Sequence, residues 1–175
     1  MSYAIEMAGE YKFKVCLVGD PGVGKTSLVR RFVYNMFSDK YLTTIGTNIY
    51  KKNLKIRGVS CTLMVWDIMG QPGFREILKT AYFYGAQGII AVADLTSPQT
   101  FESLPDWVEA AMGVVEESFP VIMFANKSDL EWKVDENYVK EVADRIGAEE
   151  HYITSAKTGE NVEKGFVSMA KYLLP

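Results

Sequence analysis

An α/β domain, built on a mostly parallel sheet with one antiparallel edge strand, is the fold this sequence predicts, and three observations predict it. Short apolar segments at 12–18, 88–94 and 121–125 alternate with segments of helical period. Such spacing needs crossover connections, which make neighbouring strands parallel and cover both sheet faces with helices. Two strand-like stretches, 49–56 and 60–67, are separated only by Arg57-Gly58-Val59, which reads as an antiparallel hairpin. Finally, each polar cluster follows a strand end, where open α/β sheets bind their ligands.

The elements follow in order. Strand 12–18 is apolar enough to be central and runs into a glycine-rich turn at 19–24. From 25 to 37, Leu28, Val29, Phe32, Val33 and Met36 keep a helical period. Residues 38–47 are polar and turn-like, hence an exposed loop, and 69–74 carries two glycines and a proline, hence a second loop. A helical segment reaches about Gly85 and is followed by strand 88–94. A helix over 100–117 places Phe101, Leu104, Trp107, Val108 and Ala111 on one face. Strand 121–125, helix 136–146, a short strand at 151–154 and a closing helix at 161–173 complete the chain.

A length of 175 residues suits one domain, and 48% hydrophobic with 23% charged residues is ordinary globular usage. The net charge of −3 supplies no bulk cationic field for a nucleic-acid backbone. Cys16 and Cys61 form no spaced cluster and sit in apolar runs, so they read as small buried hydrophobes. The longest apolar runs, 89–93 and 121–125, are too short to span a bilayer. Residues 1–10 show no secretory signal and are expected to form an N-terminal extension to a domain at 11–174. Position 2 is serine and the chain ends Tyr-Leu-Leu-Pro without a cysteine box, so no membrane anchor is visible. The expectation is a cytoplasmic monomer, peripheral to membranes only through partners. His151 lacks companions, Trp66, Trp107 and Trp132 read as core or surface-cluster aromatics, and Glu149-Glu150 reads as a solvated loop.

Gly19-Asp20-Pro21-Gly22-Val23-Gly24-Lys25-Thr26, with Ser27 after it, fits G-x-x-x-x-G-K-[ST] between a strand and a helix. Glycines let the backbone turn N–H groups toward phosphate oxygens, and the helix N-terminus adds positive dipole density. Lys25 reaches the β/γ-phosphates in such a loop, and the Thr26 hydroxyl ligates Mg²⁺. The base is addressed further on. Asn126-Lys127-Ser128-Asp129 follows the strand 121–125, and a carboxylate at Asp129 accepts from both the ring N–H and the exocyclic amine of guanine. Adenine offers no such donor pair and leaves that carboxylate desolvated and unpaired. Ser155-Ala156-Lys157 follows the last short strand and offers backbone N–H groups to guanine O6. Each of these two strings is unremarkable alone; their order and their places at strand ends give them weight.

With these motifs the chain resembles the small GTPases of the Ras superfamily, nearest the Rab branch, over about residues 11–174. The resemblance is carried by the residues at 19–26, Tyr41 to Gly46 with Thr44-Ile45-Gly46, Trp66-Asp67-Ile68-Met69-Gly70-Gln71, the tetrad at 126–129, the triplet at 155–157, and Gly85-Ala86-Gln87-Gly88-Ile89-Ile90. It implies a P-loop G domain with a six-stranded sheet and five helices, binding GTP, GDP and Mg²⁺. It also implies slow GTP hydrolysis, and loops at 38–47 and 68–74 that order around the γ-phosphate. Carried over by position, Phe37 packs on the guanine face, its alternative being a helix-end core aromatic, and Tyr41 covers the phosphates. Thr44 reaches Mg²⁺, an assignment resting on resemblance, since it is one of several loop threonines. Asp67 holds Mg²⁺ through water, its alternative being a satisfied turn aspartate. Gly70 gives its N–H to the γ-phosphate, and Gln71 orients the attacking water beside the charge of Lys25. No arginine has a motif-based claim to the transition state: Arg30 and Arg31 are expected to face along the first helix, and Arg75 begins the next. An activating protein, an exchange factor and effectors are therefore expected partners.

Three positions depart from the family pattern. Pro21 stands where a small residue is usual and removes an N–H that the phosphate cradle does not need. Ile68-Met69 replaces the usual threonine and alanine, setting a bulky thioether before Gly70. Pro72 follows Gln71, biasing it toward extended backbone and deleting a carboxylate used by exchange factors. The alternative readings are a GTP-binding interaction module whose turnover Met69 and Pro72 have disabled, and a P-loop ATPase or kinase.

Overall fold

The computed structural model describes residues 10–40, 44, 46–68 and 79–175. Its sheet has six strands, β1 (Tyr11–Val18), β2 (Thr47–Ile56), β3 (Val59–Ile68), β4 (Gly88–Asp94), β5 (Val121–Asn126) and β6 (Glu150–Ile153), in the order β2-β3-β1-β4-β5-β6. All neighbours are parallel except β2 and β3. Helices α1 (Lys25–Tyr34), α2 (Gln99–Glu102), α3 (Leu104–Met112), α4 (Glu136–Arg145) and α5 (Val162–Leu173) flank it, and residues 79–83 are also helical. The expected α/β architecture with an antiparallel edge is thus the fold.

Period-two alternation splits the core into two layers. Phe13, Val15 and Leu17 of β1 face α1 and α5, where Phe32 and Phe166 stack with ring centroids 4.3 Å apart. Cys16 and Val18 face the other way, toward Phe101, Trp107, Val142 and the helical Tyr82 and Phe83. The β2–β3 hairpin closes through Arg57 and Gly58, with φ of 51° and 84°, and Ile56 opposite Val59. This two-residue loop with both φ positive matches the right-handed strand twist, so Val59 belongs to the strand rather than the turn.

Two expected helices are shorter than their apolar period suggests. The first ends at Tyr34 rather than 37, because Asn35 turns into the left-handed region (φ 53°), which asparagine tolerates. Met36 and Phe37 therefore leave the helix and lie exposed. The segment expected as one helix over 100–117 is two, α2 and α3, meeting at Ser103, and it stops at Met112. Pro105 lacks the N–H that a continuous helix needs, and Gly113 is a poor helix former. Glu150, expected in a solvated loop, belongs to β6 and accepts from the Ser168 hydroxyl of α5 at 2.6 Å and from the Tyr152 hydroxyl.

Both cysteines are buried, as expected, and burial pushes the Cys16 thiol up to about 12 and raises Cys61 as well. At pH 8 a thiol with that pKa is thiolate in about one molecule in ten thousand. Native protein is expected to give almost no reaction with a disulfide reagent such as Ellman's, and two thiols per chain once denatured.

Candidate functional site

The candidate residues gather at the carboxyl ends of β1, β3, β4 and β5 and in the turns that follow them. The phosphate-type loop leaves β1 through Gly19, Gly22 and Gly24, whose φ values are 141°, 79° and 104°. At Gly19 any Cβ would sit 2.3 Å from the Val92 carbonyl oxygen, so the loop can pass close to β4 only as glycine. Helix α1 then begins at Lys25 with no side-chain cap and no acidic residue in its first turn, leaving its positive end uncompensated by carboxylates.

Lys25 is 6% exposed, and its ammonium donates to the Gly19 and Asp20 carbonyls at 2.7 and 2.9 Å. Burial pushes it down to about 8 against the opposing pull of Asp67 and Asp20. A buried cation whose hydrogen bonds among the described residues go to neutral carbonyls suits an incoming anion. The Asp20 carboxylate accepts from Ser103 and Trp107 of the α2–α3 region. Pro21 and Gly22 are exposed, Val23 is buried, and Ser27 is half-buried in α1.

The residues expected at a metal converge although they come from three segments. Asp67 at the end of β3 is fully buried, and its Oδ2 accepts from the Thr26 hydroxyl at 2.5 Å. The Thr44 hydroxyl lies 2.5 Å from that of Thr26 and 3.5 Å from Asp67 Oδ2. Asp67 Oδ1 is buried without a hydrogen-bond partner among the described residues, and burial raises the carboxyl's pKa. An orphaned carboxylate oxygen beside two hydroxyls is a hard oxygen set, the donor chemistry of Mg²⁺. The residues present fit that ion.

The base-side loops are joined by Asn126. Its Nδ2 donates to the Val23 carbonyl at 2.9 Å, and its Oδ1 accepts from the Thr154 hydroxyl at 3.1 Å and the Ala156 N–H at 3.3 Å. Asp129 is exposed, with Oδ1 accepting from the Ser155 hydroxyl at 2.6 Å. Lys127 adopts φ 69° and pairs with the buried Asp94 at 2.6 Å. The backbone N–H groups at 155 and 156 were expected to be available; Ser155 N–H instead bonds the Glu160 carbonyl at 3.2 Å, and that of Ala156 makes the long bond to Asn126.

Arg31 corrects the sequence reading. Besides reaching along α1 to Asn35 Oδ1 at 2.9 Å, its guanidinium donates to the Ala156 and Lys157 carbonyls at 2.8 and 2.6 Å. It fastens α1 to the 155–157 turn, and no local motif announces that. Asp94 as the partner of Lys127 was also missed, although an aspartate ending an apolar strand was a usable signal. Phe37 is 37% exposed beyond the end of α1. Tyr41, Gly70 and Gln71, with Ile45, Met69, Pro72 and Arg75, lie outside the described residues.

The sequence profile of the Ras family matches residues 14–174. The chain is 39% identical over 171 residues to the Ras-related protein Rab-13 of Mesocricetus auratus, covering 95% of this chain and 82% of that protein. Rab-13 of Bos taurus matches with the same identity and coverage, and that of Rattus norvegicus with 38% identity over the same length.

Proposed function

This chain belongs to the Ras family, near its Rab branch, and hydrolyses GTP to GDP and phosphate; we propose that the residues described above form its nucleotide site and that it works as a switch read by effectors. The observation that carries the proposal is the convergence of Thr26, Thr44 and Asp67 in front of Lys25, at the strand ends. Residues 19–27 wrap the phosphates, Asn126, Lys127 and Asp129 with Ser155, Ala156 and Lys157 enclose the guanine, and Phe37 and Tyr41 cover base and phosphates. This domain occupies 11–174.

Thr26, Thr44 and Asp67 would hold Mg²⁺, which supplies charge neutralisation at the phosphates when bound. Lys25 adds a fixed positive charge in a water-poor setting, where it is worth more than in bulk solvent. Gln71 aligns the attacking water and Gly70 donates its N–H to the γ-phosphate. Water oxygen bonds to the γ-phosphorus, the bond to the β–γ bridging oxygen breaks, and the water proton ends on the phosphate products. Arg31 is spent on the 155–157 turn rather than on the phosphates. Turnover alone is therefore slow, and a partner supplies the missing charge. Thr44 ties the first loop to the metal residues, so loss of the γ-phosphate frees that loop and effectors let go. Exposed Ile49, register partner of Trp66, is part of the surface they read. No described helix is long and apolar enough to cross a membrane.

The test is to identify the nucleotide that copurifies with the protein and to follow phosphate release from a stoichiometric GTP complex. Guanine nucleotide is expected, with unaided release far below about 1 s⁻¹. Copurified ATP, or neither purine, would overturn the assignment. Arg31→Met is expected to speed release of a fluorescent GDP analogue about tenfold, the share of a charged hydrogen-bond pair that steadies only one wall of the base site. Stopped-flow displacement by unlabelled GDP measures it.

A further inference from the structure

Asp20 is held at both ends. Its carbonyl accepts from the Lys25 ammonium at 2.9 Å, while its carboxylate accepts from two side chains outside the loop. Trp107 Nε1 reaches Oδ1 at 2.9 Å and Ser103 Oγ reaches Oδ2 at 2.5 Å. Neither donor moves easily. Trp107 is fully buried in α3 among the core residues of that face, where a shifted indole would open a void. Ser103 is the single residue joining α2 to α3, its N–H on the Gln99 carbonyl and its hydroxyl also near the Thr100 carbonyl. A variable position of the loop motif is thereby fastened to a different element of the fold.

We propose that Trp107 and Ser103 are positioning residues for the phosphate site: they fix Asp20, whose carbonyl, with that of Gly19, aims Lys25, and so they slow nucleotide release. The inference rests on the reading of 19–26 as the phosphate site. It makes a selective demand. The contribution of Trp107 passes through Asp20 to Lys25 and the terminal phosphates, leaving the base loops at 126–129 and 155–157 untouched. A tryptophan that merely filled the core would weaken every ligand alike.

The experiment uses the full chain and variants Trp107→Phe, Ser103→Ala, Asp20→Ala, Asp20→Asn and the double variant Asp20→Ala/Trp107→Phe. Release of a fluorescent GDP analogue is timed, and affinities for GDP and GMP are measured by competition. Trp107→Phe and Asp20→Ala are each expected to speed GDP release about tenfold, as loss of a hydrogen bond to a charged group implies. GMP, which lacks the β-phosphate, is expected to change less than about twofold. Adding Trp107→Phe to Asp20→Ala is expected to do nothing more, because the link is already cut. Asp20→Asn, which keeps one acceptor for the indole but loses the charge, is expected to speed GDP release by less than Asp20→Ala does. Independent effects of the two substitutions, or equal losses for GDP and GMP, overturn the inference. If Trp107→Phe folds poorly, Ser103→Ala with the Asp20 pair decides: release as slow as the parent's in Asp20→Ala refutes it. A parent chain that binds no guanine nucleotide refutes the phosphate-site reading itself, whereas tight parental binding with additive variants refutes only the role of Trp107 and Ser103.

Discussion

Asp129→Asn is expected to lower GDP affinity by about three orders of magnitude and to erase the preference for guanine over adenine. In the proposed site the carboxylate would receive two donors from guanine, and charge-assisted hydrogen bonds contribute about 1.5–3 kcal/mol each, so their joint loss spans about 10²- to 10⁴-fold. The amide turns one acceptor into a donor facing the ring N–H, which places the value inside that range rather than at its foot. Asp129 is exposed and its carboxylate accepts from the Ser155 hydroxyl, as an amide oxygen also can. Stability is therefore expected to stay within about 0.5 kcal/mol of the parent. Competition of GDP and ADP against a fluorescent nucleotide, alongside a thermal melt, measures both quantities. An unchanged GDP-to-ADP ratio would remove Asp129 from the base site.

Gly24→Ala is expected to abolish measurable nucleotide binding and also to lower stability, a different signature. Gly24 sits at φ 104°, and a Cβ there would lie 2.3 Å from Asn126 Nδ2. The strained backbone costs about 1–3 kcal/mol. Pushing the amide off the Val23 carbonyl leaves a buried donor and acceptor unpaired, about 1–3 kcal/mol more. Together these correspond to a fall in melting temperature of roughly 10 °C for a domain of this size. Calorimetry of GDP binding and of thermal unfolding checks the two parts, and normal binding would mean that Asn126 yields without consequence.

Much of the fold was legible because strand and helix periods are local. The apolar runs at β1, β4 and β5 and the hairpin at Arg57-Gly58 stand in the sequence within a residue or two of their observed ends. Helix ends were less legible, since Asn35 and Ser103 act through backbone geometry that an apolar period does not encode. In the candidate site, glycine spacing marked the loop at 19–26, and strand ends marked Asp67, Asn126 and Asp129. The contacts of Arg31 with the 155–157 turn and of Asp20 with Trp107 were invisible, because they join residues 125 and 87 positions apart through a fold whose packing had yet to be drawn.

One amide side chain, that of Asn126, touches the loop at Val23 on one side and the turns at Thr154 and Ala156 on the other. On the proposed assignment of these loops, the two halves of a nucleotide are not recognised by separate compartments. A nucleoside alone would steady the anion cradle before any anion arrives, and pyrophosphate alone would shape the purine slot in return. Fragments of the ligand should therefore help each other bind, through the Val23 end of the loop rather than through Asp20 and Lys25.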